Sequence, residues 1–336
     1  MGPAPAVADV RSAVRTTLAA ARPRSVLVAC SGGADSLALA AATAFEAPRA
    51  GIPAGLVTID HGLQEGSARH AAWVAGLGFE LGFDPVEVVA VDVGTAGGPE
   101  AAARVGRYAA LDAAAAALDA HVLLAHTLDD QAETVLLGLG RGSGPRSIAG
   151  MAAADGCYLR PFLGLRRATT VAACAALGLS AWDDPHNSDP GFQRVRLRRE
   201  VLPLLEDVLQ GGVTEALART ADLLRDDLEA LDELAGASHL SEVVRPSVRG
   251  DASKGGQLDV ASVASLPRAV RTRVLRRWAQ DVGARPLSAE RTVALEALVT
   301  SWHGQRAVDL PGGVSVRRES GKLVAYLTAE PRSNQT

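Results

Sequence analysis

The chain has 336 residues, 48% of them apolar, with 38 acidic against 34 basic side chains and a formal net charge of −4. Length and apolar content exclude a disordered chain and suit two domains. The charge excludes a uniformly basic nucleic-acid binder, and no charge-free run of 18 apolar residues marks a membrane helix.

Residues 25–30 (SVLVAC) read as a strand buried on both faces. The string Ser31-Gly32-Gly33-Ala34-Asp35-Ser36 follows, and a helix is expected from about Ser36 through residue 47. Residues 52–60 read as a second strand, 67–81 as a helix and 86–93 as a third strand. Pro99 opens an alanine-rich helix reaching about residue 120, and proline favours such a first-turn position. Residues 121–126 read as a fourth strand and 129–139 as a helix. This alternation predicts a doubly wound parallel sheet with helices on both faces.

Residues 141–147 (RGSGPRS) read as a loop, 167–177 as a helix and 183–191 as turn-rich. The stretch 206–233 reads as one acidic helix, with nine Asp/Glu against two Arg. The linker is expected in or just after it, giving a catalytic domain over 1–210 and a smaller, mainly helical domain over 211–336. Residues 247–257 read as a loop, 261–281 and 288–301 as helices, and the segment from 307 onward as short strands joined by Gly-rich turns.

Three dispersed cysteines, Cys30, Cys157 and Cys174, contain no CxxC, and the N-terminus lacks a signal-peptide core. Both features point to a cytoplasmic protein without disulfides or an iron–sulfur cluster. The seven histidines show no HExxH or similar spacing. The only lysines are Lys254 and Lys322, so a phosphate-binding or Schiff-base lysine is excluded from the first 253 residues.

The sharpest signal is the SGGADS string after a buried strand. Small residues let the backbone close on an anion, and the following helix aims free N–H groups at the same point. Ser31 and Ser36 add hydroxyl donors. Asp35 would repel a phosphate but suits a magnesium ion bridging phosphates. The plain alternative is a strand-to-helix turn capped by serine. Asp60 and His61 close the second strand, where ligands of such sheets gather. Glu100, Arg104 and Arg107 share one helix face, either as surface pairs or as phosphate contacts. His126 closes the fourth strand. Asp129, Asp130 and Glu133 then suit a helix's first turn; alternatively Asp130 and Glu133 present two carboxylates to one cation, magnesium or an ammonium group. Arg141 opens a glycine-rich, anion-binding type of loop. Arg194, Arg196, Arg198 and Arg199 form a basic cluster.

SGGADS resembles the pyrophosphatase loop of the ATP-pyrophosphatase superfamily. In order, SGGADS, DHGLQEGS, EAAARVGRY, AHTLDDQAETVLLGLGRGSG, IAGM, RPFLGLRR and WDDPHNSDPGFQRVRLRREVLP resemble the tRNA(Ile)-lysidine synthetase family over about residues 24–205, with a weaker continuation at LPGG. The resemblance is to its short form, without the extra C-terminal domain of longer members. It implies an adenine nucleotide alpha hydrolase-like fold and a carbon–nitrogen ligase. That enzyme adenylates the wobble cytidine of tRNA(Ile) bearing a CAU anticodon. Free L-lysine then displaces AMP, and decoding changes from AUG to AUA.

By the same resemblance ATP and Mg2+ are required, Ser31–Ser36 with Asp60, His61, His126 and Arg141 hold ATP, and Asp35 holds the metal. Asp35, Arg107, Asp130 and Glu133 form the catalytic set. Asp130 and Glu133 would hold lysine or a metal, Arg104 or Arg107 would steady phosphates, and Arg194, Arg196 and Arg199 would contact substrate. A homodimer fits the resemblance and a membrane partner does not. Two patches are expected to hold tRNA: residues 160–200 (seven Arg, four acids) and 268–291 (seven Arg, two acids). The sequence departs from the family pattern at Gln64, Thr127 and Val195. Related tRNA thiolases usually carry CxxC, glutamine-using ligases need a glutaminase, and a Rossmann oxidoreductase would show GxGxxG; none is present. A nucleotide-binding sensor would not need the DDQAET string.

Overall fold

The computed structural model describes residues 2–62, 66–91, 99–142, 144–182, 189–244 and 254–327. Gln64, Ser143 and the 183–188 segment lie outside the described residues, as does the side chain of Glu100. The chain packs as two compact units, Met1–Arg225 and Asp226–Thr336. The boundary expected at 210/211 lies upstream of this division.

The first unit runs α1 (Pro5–Ala21), β1 (Val26–Ala29), α2 (Ala34–Glu46), β2 (Ala54–Asp60), α3 (Ser67–Glu80), β3 (Val86–Ala90), α4 (Pro99–Leu118), β4 (His121–Leu123) and α5 (Leu128–Arg141). There follow α6 (Pro145–Ile148), β5 (Ala154–Asp155), β6 (Tyr158–Leu159), α7 (Arg167–Ala176), α8 (Gln193–Arg196), a π-helical turn (Leu197–Val201), α9 (Leu202–Val208) and α10 (Val213–Glu242), which continues into the second unit. The sheet order is β3-β2-β1-β4-β6-β5. All neighbours are parallel except β5, which runs antiparallel to β6.

Strand alternation sorts the core. Val26, Val28, Leu56 and Leu123 point to one face and pack with α1, α2 and α7 through Val10, Val14, Leu37 and Ala173. Leu27, Val57 and Val122 point to the other face and meet Leu111, Ala114 and Ala115 of α4. Strand order reverses between β1 and β4, so a crevice opens at their carboxyl ends. The loops leaving these two strands are 30–33 and 124–127.

Two local expectations change. Residues 141–147 are not a continuous loop: Arg141 ends α5, Gly142 takes the left-handed cap position at φ 61°, and α6 makes one helical turn. Ser147 O would lie 2.0 Å from a Cβ at residue 138, so the approach of α6 to α5 requires Gly138. The acidic stretch is two helices. Gln210, Gly211 and Gly212 have positive φ and separate α9 from α10. Glu206 then caps α10 by accepting from Val213 N (3.0 Å) and Thr214 N (2.9 Å). Thr214's hydroxyl and these N–H groups pull its carboxyl down to about 2.

The second unit contains β7 (Val243–Val244), β8 (Lys254–Asp259), α11 (Val260–Ala264), α12 (Arg268–Asp281), α13 (Ala289–Thr300), β9 (Val308–Leu310), β10 (Val314–Glu319) and β11 (Lys322–Leu327). Its helices accompany a five-stranded antiparallel sheet of order β7-β8-β11-β10-β9. Residues 254–257, expected in a loop, pair with β11 as part of β8. Trp278 is fully buried among Val274, Leu275, Leu295 and Leu310.

Four of the five arginines of α12, within the patch expected to hold tRNA, also have partners inside the unit. Arg271 donates to Glu296 Oε1 (Nη2, 2.8 Å) and Leu266 O (Nη1, 2.8 Å). Arg268 donates to Glu296 Oε2 (3.1 Å), Arg273 to Asp232 (2.8 Å) and Arg276 to Thr292 (2.9 Å). Burial alone would raise the Glu296 carboxyl, but Arg271 and Arg268 hold it below its usual range. Arg271→Ala should therefore destabilise this unit by about 1–3 kcal/mol, since it leaves the buried Glu296 carboxylate with the largely exposed Arg268 as its remaining arginine partner. Chemical denaturation followed by near-UV circular dichroism checks this; an unchanged midpoint would reassign Arg271 to the surface.

Candidate functional site

The loop after β1 is built around Gly32, at φ +83°. A Cβ there would lie 2.6 Å from His70 Cε1 and 2.7 Å from Nε2, so the imidazole closes on the loop only because the residue is glycine. His70 Nε2 sits 2.8 Å from Ser31 O, and its ring packs at a 33° tilt against Trp182 (4.0 Å) and Trp73 (5.4 Å). Trp182 N donates to Gly32 O (3.0 Å). Gly33 is the extended N-cap, and α2 begins at Ala34, two residues earlier than expected. The first amides of α2 therefore face the crevice mouth without helical partners. Ser36 is buried; its hydroxyl donates to Gly33 O (2.9 Å) and accepts from Ser31 N (3.2 Å), bracing the loop from within.

Thr127 starts α5 through a capping box. Its N–H and hydroxyl each donate to Asp130 Oδ2 at 2.8 Å, and its Oγ1 accepts from Asp130 N at 3.4 Å. The departure at Thr127 thus has a structural role. The next residue of α5 after Asp130, Gln131, donates to Met151 O (2.8 Å) and accepts from Met151 N (2.6 Å), tying the helix to the loop at Met151.

Asp35, on the first turn of α2, and Asp130 meet at one guanidinium. Arg167 Nε donates to Asp35 Oδ2 (3.1 Å) and Nη2 to Asp130 Oδ1 (2.7 Å). The other oxygen of Asp35 accepts from the Thr170 hydroxyl. Glu133 is fully buried. Its Oε1 accepts from Arg198 Nε (2.7 Å) and lies 3.7 Å from Arg167 Nη1; its Oε2 lies 3.5 Å from Arg194 Nη1. Three carboxylates thus face three arginines.

Burial raises the Asp35 carboxyl, and Arg167 and Thr170 offset this only in part. Burial works on Asp130 too, but Arg167 and the Thr127 N–H and hydroxyl outweigh it and hold that carboxyl below the usual range. Burial also disfavours charge on Arg167, yet Asp130, Asp35 and Glu133 make it a firmer cation than usual. Asp129 accepts from Arg167 N (2.8 Å) and pairs with Arg166 (3.2 Å), which also reaches Glu215 (2.6 Å).

A second, cationic group surrounds the ends of β2 and β4. His126 is driven to about 4 by burial, with Arg160, Arg107 and Arg104 adding to the effect against Asp130. His61 is lowered by burial and by Arg107. Neither ring's Nδ1 has a hydrogen-bond partner among the described residues. Arg104 lies over the Tyr108 ring at 4.8 Å and Arg107 at 5.4 Å. Among the described residues neither arginine has an ion-pair partner. The neighbourhood thus gathers Arg104, Arg107 and Arg160 around two imidazoles with buried, unpartnered nitrogens, as an anion-binding site would.

His126 also sets a pH dependence. The folded protein protonates it near 4, against 6.5 for an unperturbed imidazole. Between those values the unfolded chain binds the extra proton, so stability falls as pH drops through that window. The loss attributable to His126 should be about 2 kcal/mol, allowing for the ring's remaining solvent contact. His126→Gln should narrow the difference between denaturation midpoints at pH 7 and pH 4.5; an identical difference in both proteins would remove His126 as its source.

Other expected site residues lie elsewhere. Asp60 Oδ1 accepts from Gly62 N (3.0 Å) and shapes its own turn. Arg141 is exposed at the end of α5. Arg196 pairs with Glu200 (2.9 Å) on an exposed face, and Arg199 is exposed. Val195 is buried, so the hydrophobic departure there faces inward. The sequence reading missed Arg167, Arg198 and Thr170 as members of the acid cluster. Among the described residues no group of three or more His, Cys, Asp or Glu side chains forms a metal-binding cluster.

Residues 7–205 match the model of the PP-loop domain, and residues 258–324 match that of the TilS substrate binding domain. The tRNA(Ile)-lysidine synthase of Thermobifida fusca is 58% identical over 96% of this chain and 98% of that protein. The tRNA(Ile)-lysidine synthase of Streptomyces coelicolor is 52% identical over 96% and 99%. Among solved structures, the U34-tRNA thiolase NcsA of Methanococcus maripaludis, which carries a [4Fe-4S] cluster, superposes with a TM-score of 0.52 at 19% identity. That match covers 66% of this chain and 80% of that one, and it speaks to the fold alone.

Proposed function

Because the chain belongs to the tRNA(Ile)-lysidine synthase family, whose activity is ATP-dependent lysidine formation on tRNA(Ile), we propose that the crevice between β1 and β4 is where ATP, cytidine and lysine meet. The carrying observation is that Asp35 and Asp130, from two helix starts, converge on one cation.

In this reading the amides opening α2 take ATP phosphate oxygens. Arg104 and Arg107 face the charge that develops as pyrophosphate leaves. His61 and His126 stay neutral at physiological pH, so the arginines supply the cationic field and the imidazoles supply hydrogen bonds. The C2 oxygen of the wobble cytidine attacks the α-phosphate and pyrophosphate departs. The lysine amine then attacks C2, and the oxygen leaves with AMP. No protein nucleophile is needed, which fits a first unit without lysine. Holding three reactants in line supplies on the order of 7–11 kcal/mol.

Magnesium fits the donor set, since Asp35 and Asp130 each direct one oxygen to a shared cation. When bound with ATP it would neutralise phosphate charge. Glu133 suits direct lysine contact less well, being fully enclosed by Arg194, Arg198 and Arg167. It is better read as the anchor of those arginines.

The test is incorporation of labelled lysine into a tRNA(Ile) transcript with a CAU anticodon. ATP-dependent incorporation, absent with other amino acids, is expected. ATP cleavage to AMP with a different acceptor instead would overturn the substrate.

A further inference from the structure

The acid cluster is electrically complete before any substrate arrives. Asp130 Oδ2 is fixed by Thr127 and one Asp35 oxygen by Thr170. Each carboxylate then turns its remaining oxygen to Arg167, at 2.7 and 3.1 Å, with Arg198 Nη2 standing further off, 3.8 Å from the same Asp130 oxygen. The geometry is a two-carboxylate seat for one cation, already filled by a side chain. A magnesium ion or an ammonium group cannot reach both free oxygens while the guanidinium bridges them.

Arg167 is open to solvent and loosely held at its third contact: its side chain is 23% exposed, and Nη1 lies 3.7 Å from Glu133, beyond hydrogen-bond distance. Its backbone stays tethered through Asp129, which accepts from Arg167 N, while Asp129 and Glu215 hold the neighbouring Arg166. The side chain can therefore swing without moving the start of α7.

We propose that Arg167 is a resident cation that holds the Asp35–Asp130 seat in the ligand-free protein and yields it to a substrate cation. It is a positioning residue. It keeps two like charges together at the crevice and releases them only in exchange for a cation of equal claim, the magnesium of the nucleotide complex or the ammonium of an amino acid. This deepens the reading above, on which the cation's identity rests; the occupancy of the seat does not depend on it.

A place-holder lowers apparent affinity by the fraction of time it vacates the seat. If Arg167 holds the seat nine-tenths of the time, its removal tightens cation binding about tenfold. The experiment compares the full-length wild type with Arg167→Ala and Arg167→Lys by calorimetry. One arm titrates magnesium in the presence of a non-hydrolysable ATP analogue; the other titrates lysine. Thermal denaturation runs alongside. Tightening in Arg167→Ala in the magnesium arm assigns the seat to the metal, and tightening in the lysine arm assigns it to the ammonium. Arg167→Lys, which restores a cation, should return values close to wild type. Unchanged or weaker binding of both cations in Arg167→Ala, with or without a lowered melting temperature, overturns the proposal and leaves a structural ion pair. Both arms read binding, so a failed lysine-incorporation assay would defeat the substrate assignment without deciding this one.

Discussion

Asp35→Ala should cut lysidine formation by on the order of 10²–10³-fold while leaving the fold in place. The α2 N-cap is Gly33, with no side-chain capping bond, so the helix does not need the Asp35 carboxylate to start. Alanine is also a good helix former. The lost group is one of the two that converge on the shared cation, and Asp130 alone cannot fix its position. Losing one such preorganised electrostatic group lowers turnover by on the order of 10²–10³-fold. Labelled-lysine incorporation measures the loss, and far-UV circular dichroism checks the fold. Incorporation within a few fold of wild type would place the chemistry away from the β1 loop.

The largest stability effect is expected at Glu133. This carboxylate is fully buried, and Arg167, Arg194 and Arg198 lie around it at 3.7, 3.5 and 2.7 Å. Glu133→Gln keeps the shape and removes the charge, leaving three guanidiniums against Asp35 and Asp130. Breaking a buried pair from one side costs about 3–5 kcal/mol, and the partial exposure of Arg194 and Arg198 points to the lower end. The urea midpoint should fall accordingly, with a matching loss of turnover as the arginines rearrange. A shift under about 1 kcal/mol would mean that solvent, not Glu133, balances them.

The sheet was legible because buried parallel strands leave continuous apolar runs, and its strand ends fix where ligands gather. Asp130 and Glu133 were legible as a pair from their spacing on a helix's opening turn, while Asp35 was read separately as a magnesium ligand and joined them only through the family resemblance. Arg167 was not, though a signal existed. Two arginines opening a helix oppose its dipole, an arrangement that needs external carboxylates. Asp129, Asp35 and Asp130 supply them. The choice among Arg194, Arg196, Arg198 and Arg199 could also have been made from helical phase. Residues 194 and 198 are four apart and meet Glu133 together, whereas Arg196 turns to Glu200. What the sequence could not reveal was the engagement of α12's arginines. A run of basic residues on a helix looks alike whether water or Glu296 lies opposite, and only the tertiary partner decides.

The packing on His70 has a spectroscopic corollary. Of the four tryptophans, only Trp73 and Trp182 belong to the first unit, and both pack on the imidazole that closes against Gly32. All indole emission from that unit therefore originates within a few ångströms of the glycine loop. The loop carries its own optical label, with no dye to attach.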